Sequence, residues 1–529
     1  MIFWRLLAAR QSIECLTGMG TASLRELRVR GKLTVAEKID ALFVSGSFRE
    51  LFPPAKTLDR EHGERRIKTG IAKVDDHREI MVAIFDSAVR SGSVQIATGN
   101  KLLKLMDEAE RLGLPLYIDW DCGGADINDG VDSLDIFTKI FTRLHRLQGV
   151  VPVFSAISGY SAGGAAYGPL LTDTVAMLRQ RSMMAPTGPE VMIKVGGAEA
   201  GLNHDMLGGP RLHAVHSGEA AFIVDDYAHL ARVLRNYIEY LPSNWRQFTE
   251  RWSNVVEPDA LPLAEIIRVS KAAELKGQFS PWDVRTFIHG TADRDSFMEY
   301  NELFAPEVVV GFARYGGFPL AMVANQRLVG GGALQANSSA KIRKFLQLAN
   351  SFGLPVLTLV DVPGFVASSA ASKQRILSDG ASILKMYPDL TVPTISVVMD
   401  KAFGGAYCAM NSKDTSDQNP RSRHYALSSA AIAVMGPAAG IQFVYKDGRS
   451  VADRTLAYHA DYMNIDRAVA SGVVFPLDIA NMRGQIISDL EQMVPEYEAW
   501  KVRALASMAE LPEDVRRVAE RGFRGVWPL

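Results

Sequence analysis

The chain carries the sequence LGLPLYIDWDCGG at residues 112–124 and the sequence FGLPVLTLVDVPG at residues 352–364. Both stretches run from a Gly-Leu-Pro turn through apolar residues to an aspartate and a glycine-bearing loop. Asp121 therefore matches Asp361 in one register. An apolar run of this length between turn residues predicts a buried β-strand. Two copies of the pattern, about 240 residues apart, predict two copies of one domain.

A second pair of stretches repeats further along the chain. The sequence VPVFSAI at residues 151–157 leads to AGGA at residues 162–165, and VPTISVV at residues 392–398 leads to FGGA at residues 403–406. Each copy thus predicts a buried strand that ends in a Gly-Gly-Ala turn. Two such turns indicate two related binding sites, and hence a reaction between two bound partners.

Strand and helix patterns alternate between these motifs. A helical stretch from Lys101 matches one from Lys341, and Thr34 with Glu37 forms a capping signal for a helix predicted over Leu33–Phe52. Alternation of this kind is typical of the α/β fold class.

The predicted domain organisation has three parts. Pro242-Ser243-Asn244 and the acidic stretch as far as Pro262 predict a linker between the two copies. The predictions are an N-terminal extension or misassigned start at residues 1–22, an N-terminal domain at 23–255 and a C-terminal domain at 256–529.

Composition limits the classes of function. The chain has 529 residues, 47% of them hydrophobic and 22% charged, which is the range of globular proteins. A net charge of −1 gives no basic excess for a nucleic acid. Three cysteines, Cys15, Cys122 and Cys408, predict a reducing compartment, with the cytoplasm as the default. No apolar run reaches the roughly 20 residues that cross a membrane.

The Gly-Gly-Ala turns suggest a particular chemistry. Glycine lets a ligand approach the main chain closely, and the first amides of a following helix point unpaired at that ligand. Backbone donors of this kind form an oxyanion hole, which would suit a thioester enolate. The alternative is that the glycines only allow close packing of helix on strand, but their repetition in register favours a functional role.

The chain resembles the carboxyltransferase (beta) subunits of biotin-dependent acyl-CoA carboxylases, most closely those of propionyl-CoA carboxylase, over nearly its whole length from about Leu24. The motifs that carry the resemblance are Asp361-Val362-Pro363-Gly364-Phe365, Gly404-Gly405-Ala406-Tyr407, Ile432-Ala433-Val434-Met435-Gly436, Ala162-Gly163-Gly164-Ala165, Leu207-Gly208-Gly209, His213 with Ser217-Gly218, and Leu241-Pro242-Ser243-Asn244.

The resemblance implies a fold and an assembly. Each half is expected to be a crotonase-like domain, a spiral of ββα units. The N-terminal half would bind acyl-CoA, and the C-terminal half would face biotin. The family forms hexamers, as a trimer of dimers or a dimer of trimers, with active sites between the N-domain of one subunit and the C-domain of another.

The resemblance also assigns residues. The catalytic amides would be those of Gly163, Gly164 and Ala165, which hold the thioester oxygen as the α carbon becomes an enolate. Gly404, Gly405 and Ala406 would hold the ureido oxygen of carboxybiotin, the cofactor, whose released carbon dioxide the enolate captures. Substrate contacts are expected at Cys122, Gly123, Gly124, Pro363, Gly364, Phe365, Tyr407 and Cys408. No metal is expected, and His204, His213 and His216 are interpreted as structural or hydrogen-bonding residues.

Several residues depart from the family pattern. Cys408 stands where the carboxylases usually have aspartate, which predicts a larger or drier acyl pocket. Cys122 replaces a usual serine and Asp126 a usual arginine in the first half. In the second half, Ala367–Lys373 replaces a glycine-rich segment, and Ser378 and Asp379 stand for arginine and histidine. These changes predict a non-standard acyl substrate.

Two other hypotheses remain open at this level. The chain could run the same half-reaction backwards, as a decarboxylase or transcarboxylase subunit, or it could be a degenerate scaffold in a mixed oligomer. No biotin-attachment sequence of the Ala-Met-Lys-Met kind is present, so the biotin carboxylase and the biotin carrier are expected on separate chains.

Overall fold

The computed structural model describes residues 24–29, 31–53, 63–188, 191–192, 194, 204–274, 280–413 and 419–525. The extension predicted for residues 1–22 lies outside these ranges. The chain forms two compact units, Met1–Gln247 and Phe248–Leu529.

The division between the units falls ahead of the predicted boundary at residue 255. Residues that follow Gln247 pack on the second unit, which explains the earlier division. The Trp252 amide donates to the carbonyl of Gly317 at 2.9 Å, and the Arg314 guanidinium lies over the Trp252 ring at 3.6 Å from its centre.

The strands of the described ranges are numbered in chain order. Those of the first unit are β1 Arg49–Glu50, β2 Ile67–Lys73, β3 Glu79–Phe85, β4 Leu116–Asp119, β5 Val153–Ile157, β6 Tyr160–Ala162, β7 Thr174–Leu178, β8 Met183–Ala185 and β9 Phe222–Val224. Those of the second unit are β10 Met298–Tyr300, β11 Val308–Tyr315, β12 Phe318–Asn325, β13 Val356–Val362, β14 Thr394–Phe403, β15 Ser422–Leu427, β16 Ala431–Ala433 and β17 Phe475–Leu477.

The α-helices are numbered in the same way. The first unit contains α1 Leu24–Val29, α2 Val35–Leu42, α3 Ile96–Leu112, α4 Val131–Leu147, α5 Gly164–Leu170, α6 His204–Gly208 and α7 Tyr227–Tyr240. The second contains α8 Leu263–Glu274, α9 Val284–Thr291, α10 Ala336–Ser351, α11 Ser369–Lys373, α12 Ile376–Met386, α13 Gly404–Ala409, α14 Pro437–Val444, α15 Val451–Tyr458, α16 Ile465–Ala470, α17 Met482–Ala509 and α18 Glu513–Phe523.

Both units contain the same sheet. The first has the strand order β1-β2-β3-β4-β5-β7-β9, and the second has the order β10-β11-β12-β13-β14-β15-β17. In each sheet the first three strands pair antiparallel and the rest pair parallel. The predicted α/β class and the predicted repeat are therefore confirmed.

The strands that lead to the two turns lie inside these sheets. All the residues of β4, β5 and β13 are buried, as the apolar runs predict. A short parallel pair, β6 with β8, follows the first sheet, and β14 itself extends to pair with β16 in the second. Both turns thus begin at a paired strand end.

One predicted helix is too long. The capping box of Thr34 and Glu37 is present at the start of α2, but the helix ends at Leu42 rather than at Phe52. Gly46 has a φ of 71°, which continues no α-helix, and the chain then enters β1. The rest of the predicted helix is therefore irregular backbone and a two-residue edge strand of charged residues, Arg49–Glu50.

Candidate active site

The first Gly-Gly-Ala turn joins β6 to α5. Gly163 has φ 57° and ψ −128°, a conformation open to glycine alone among common residues. Its amide donates to the carbonyl of Ala185 at 3.1 Å, and the Ala166 amide donates to the Gly163 carbonyl at 3.0 Å. Because the helical ladder begins with Ala166, the amides of Gly164 and Ala165 are the ones that face outward from the helix start. The Gly163 amide, predicted as a third donor to the ligand, is instead bonded to Ala185.

The second turn joins β14 to α13 in the same way. Gly404 has a φ of 60°, which matches Gly163. A Cβ placed on Gly405 would meet no described atom within 4 Å, whereas one on Gly164 would lie 2.9 Å from the Phe137 ring. Gly405 is also exposed. The second turn therefore has an open space at its middle glycine, where the first turn is packed from behind.

The predicted loop residues lie beside these turns. The Cys122 amide donates to the carbonyl of Tyr160 at 2.7 Å, and the Ala162 amide donates to the Cys122 carbonyl at 3.3 Å. In the second unit Val362 pairs with Ala402. The structure thus brings Cys122-Gly123-Gly124 to the first turn and Pro363-Gly364-Phe365 to the second.

The side chains at these positions differ in exposure. Cys122 is fully buried in the core of the first unit, and its backbone amide and carbonyl border the turn. Tyr407 is half-buried and Cys408 is exposed. The first-unit residue that corresponds to Cys408 is Tyr167, whose ring packs edge-on against Phe141 with 6.4 Å between centroids.

His213 supports the first turn from behind. Its Nε2 lies 2.7 Å from the Met184 carbonyl, and its Nδ1 lies 2.5 Å from a carboxylate oxygen of Glu219. Met184 lies in β8, whose Ala185 carbonyl receives the Gly163 amide. Within the described ranges, no group of three or more His, Cys, Asp or Glu side chains could hold a metal ion.

A buried carboxylate cluster lies under the first turn. The Asp121 carboxylate accepts from Lys32 Nζ at 2.7 Å, from Ser87 Oγ at 2.7 Å and from the Tyr160 amide at 3.2 Å. Lys38 Nζ lies 3.6 Å away. Burial alone raises the pKa of Asp121, but Lys32 and Lys38 outweigh burial and hold that pKa well below its ordinary value.

A different cluster lies under the second turn. The Asp361 carboxylate accepts from the Lys401 amide at 3.1 Å and from the Arg327 guanidinium at 3.3 Å. Arg327 also pairs with the fully buried Asp400, which Lys271 contacts in turn. Burial and the neighbouring Asp400 carboxylate raise the pKa of Asp361 to about 6.

Sequence reasoning missed the partners of these aspartates. Lys32 lies 89 residues before Asp121, and Asp400 lies 73 residues after Arg327. The sequence indicated these clusters only through the acidic residue at the end of each repeated strand.

A three-residue turn, Arg90–Gly92, braces the first glycine loop. The Gly123 amide donates to the Ser91 carbonyl at 2.9 Å. The backbone of this turn, φ 56° and ψ 24° at Ser91, matches φ 67° and ψ 14° at Gly331 of the second unit. The left-handed position of this turn is thus a serine in the first unit and a glycine in the second.

Asp126 has a partner inside the first unit. It pairs with the fully buried Arg66 at 2.5 Å, and that guanidinium also donates to Ser93 Oγ at 2.7 Å. The negative charge that replaces the family's usual arginine is therefore neutralised within the unit.

Two matching α/β units, each with a Gly-Gly-Ala turn at the start of a short helix, form the described part of the chain. Residues 27–509 match the carboxyl transferase domain, so the chain belongs to the carboxyl transferase family. The resemblance deduced from the motifs is confirmed.

Two relatives match this chain over most of their length. The chain is 34% identical to the propionyl-CoA carboxylase carboxyltransferase subunit of Haloferax mediterranei, covering 91% of this chain and 94% of the relative. It is 32% identical to the mitochondrial propionyl-CoA carboxylase beta chain of Mus musculus, with 92% and 90% covered.

Solved structures give the same result. Transcarboxylase 12S, described as a hexamer and solved with methylmalonyl-CoA and methylmalonic acid bound, superposes with a TM-score of 0.82 at 30% identity, covering 94% of this chain and 96% of that one. The predicted crotonase-like fold is confirmed. The described helices include none that is both long enough and apolar enough to cross a membrane.

Proposed function

We propose that this enzyme moves a carboxyl group from biotin, presented by a separate chain, to the α carbon of an acyl-CoA. The observation that carries the proposal is the pair of matching turns, with φ 57° at Gly163 and 60° at Gly404. Carboxyl transfer between two carriers needs two places where negative charge on oxygen is stabilised. The relatives named for propionyl-CoA carboxylation support the acyl-CoA class.

The first turn is proposed to hold the acyl thioester. The Gly164 and Ala165 amides would donate to the thioester oxygen as the α carbon loses its proton. In a site poor in water, each donor would stabilise the charge that develops on that oxygen by roughly a few kcal/mol. Gly163 fixes the turn, since its own amide is bonded to Ala185. The chain thus supplies position and charge stabilisation.

The second turn is proposed to hold biotin. Biotin supplies the ureido nitrogen that carries the carboxyl group. The open space at Gly405 admits a ring close to the main chain, and the amides of Gly404–Ala406 are proposed to donate hydrogen bonds to the ureido oxygen. A side chain at residue 405 would fill that space.

The acyl group is proposed to be non-standard. Cys408 is exposed at the turn, and a thiol there presents a less polar surface than a carboxylate. An apolar or larger acyl chain would meet less desolvation cost beside Cys408 than beside aspartate.

We also propose a homo-hexamer in the cytoplasm. Large apolar side chains are exposed along α14 and α15 and before them, including Val434 at 80%, Phe443 at 72% and Val451 at 61%. Apolar surface of this extent is typical of subunit contacts. Light scattering on the purified protein would give six chain masses, and a monomer mass would contradict the assembly.

Reverse transfer is a second candidate function. The similarity to transcarboxylase 12S favours it, because that protein was solved with methylmalonyl-CoA, a carboxylated thioester. A degenerate scaffold is disfavoured, because both turns keep the glycine conformations that the chemistry needs.

The test is transfer of labelled carboxyl from malonyl-CoA and methylmalonyl-CoA to free biotin by the purified protein. We expect labelled biotin from at least one thioester and none with a Gly405→Phe variant. If free biotin and a biotinylated carrier both stay unlabelled with every thioester, the proposed function is wrong. Relative rates in the two directions with the carrier would separate carboxylase from transcarboxylase.

A further inference from the structure

Each strand-end aspartate holds the chain three residues before its Gly-Gly-Ala turn. Asp121 accepts the amide of Tyr160 at 3.2 Å, and Tyr160 precedes Gly163 by three residues. Asp361 accepts the amide of Lys401 at 3.1 Å, and Lys401 precedes Gly404 by the same number. Both aspartates are 2% exposed. The same contact therefore fixes the entry into both turns.

The charges that face the two aspartates differ. Asp121 faces two cations, Lys32 and Lys38, and shares Lys38 with Asp119. Lys32 approaches to 2.7 Å. These contacts favour the ionised carboxylate.

The charged groups around Asp361 favour its ionised form less. Its direct cation, Arg327, is shared with the Asp400 carboxylate, and Lys271 contacts Asp400 rather than Asp361. Lys401 Nζ lies 4.0 Å from Asp400. Asp400 therefore holds most of the cation contacts, and Asp361 is the carboxylate of this buried pair whose protonation is favoured.

We propose that Asp121 and Asp361 are positioning residues for the two turns, and that protonation of Asp361 loosens the biotin-side turn while the acyl-side turn stays fixed. The assignment of sides rests on the proposed function. A carboxylate accepts a stronger hydrogen bond from an amide than a neutral carboxyl does. Loss of that charge weakens the contact at Lys401 and lets the strand end before Gly404 move.

Hydrogen exchange of the intact protein tests the anchor without any turnover. The readout is the protection of the Lys401 amide between pH 7.5 and pH 5.0, corrected for intrinsic exchange. The Tyr160 amide in the same sample is the matched control. We expect protection at Lys401 to fall roughly fivefold toward the acid end, while Tyr160 stays constant.

Two variants test whether the titration of Asp361 causes the change in protection of the Lys401 amide. In Asp361→Asn the pH dependence at Lys401 should disappear. In Asp400→Asn the fall should move to lower pH, because a neighbouring negative charge is gone. A fall of equal size at Tyr160, a constant Lys401 in the wild type or an unchanged fall in Asp361→Asn would each overturn the inference. If Asp361→Asn does not fold, the shift in Asp400→Asn decides.

Turnover provides a second readout. The kcat for transfer to biotin should fall in the same acid range, with the KM for the thioester unchanged. A KM that rises in parallel would contradict a role confined to the second turn. Absence of transfer at every pH would contradict the proposed function, whereas the exchange result would still decide the anchor.

Discussion

The two units share a backbone but differ in electrostatics. Asp121 and Asp361 occupy one position of the repeat and accept the same backbone contact, yet Lys32 and Lys38 lower the pKa of Asp121 and Asp400 helps raise that of Asp361 to about 6. Burial is nearly equal at the two sites. The fold thus sets the position of an ionisable group, whereas its few charged neighbours set its protonation.

The turns show a second difference, in packing. Gly164 lies against Phe137, while Gly405 borders open space. The first turn is therefore backed by an aromatic ring, whereas the second leaves its middle glycine open.

Replacing Asp121 should have the largest effect on stability. Asp121→Asn leaves Lys32 without its carboxylate partner, so we expect the free energy of unfolding to fall by about 3 to 5 kcal/mol. The lowered pKa means that this stabilisation is present above the unfolded pKa and is lost only as the pH falls through the folded one. Urea denaturation at pH 7.5 would measure it, with Asp132→Asn on exposed α4 surface as control. A loss under 1 kcal/mol would contradict the prediction.

Replacing Asp361 should give the opposite pH dependence. Its raised pKa means that the ionised form costs stability as the pH rises from the unfolded value of 3.8 to the folded value of about 6. The stability of Asp361→Asn relative to the wild type should therefore increase by about 2 kcal/mol between pH 4 and pH 7. Denaturation at several pH values would show the trend, and a difference independent of pH would contradict it.

Alanine at the two middle glycines would separate function from packing. Gly405→Ala should fold normally, because its Cβ enters open space, yet lose about 10²-fold in carboxyl transfer by crowding the amide site. Gly164→Ala should instead lose about 1 to 3 kcal/mol of stability against Phe137. Melting curves and labelled transfer would be recorded for both. Full activity in Gly405→Ala would show that the open space is not the biotin site.

The residue after each turn gives a smaller, selective effect. Cys408→Asp should shift the preference toward short acyl-CoAs, by about tenfold in relative kcat/KM, because an apolar chain beside a carboxylate loses favourable burial. A panel of acyl-CoAs of increasing length would measure it. Tyr167→Phe, at the corresponding place in the first unit, is the control. Unchanged relative rates would contradict a role for Cys408 in selection.

Much of the fold could be predicted because its signals are local. The Gly-Leu-Pro turns, the apolar runs and the Gly-Gly-Ala turns each lie within about a dozen residues, and they located β4, β13 and both glycine turns. The excess length of the helix predicted from Leu33 shows the limit of this reasoning. An edge strand such as β1, with two residues, leaves almost no periodic pattern.

The site could be predicted only in part, since its electrostatics depend on distant residues. Arg327 lies 34 residues before its partner Asp361 in the sequence, and Lys32 lies 89 residues before Asp121. Sequence separations of this size form no recognisable motif. Cys122 illustrates the same limit, because the sequence does not reveal that its side chain faces the core. Positions of backbone donors follow from glycine patterns, whereas partners of buried charges require the folded chain.

The smallest expected effect concerns the brace of the first glycine loop. Ser91 holds φ 56° and ψ 24°, where the second unit has Gly331. A serine in the left-handed conformation is strained by about 1 to 2 kcal/mol. Glycine removes this strain, but its greater conformational freedom in the unfolded chain offsets part of the gain in stability. Ser91→Gly should therefore stabilise the protein by about 0.5 to 1 kcal/mol, and Gly331→Ser should destabilise it by a similar amount. Melting curves of both variants would decide, because equal shifts in one direction would mean that the two turns are not held in the same strained backbone.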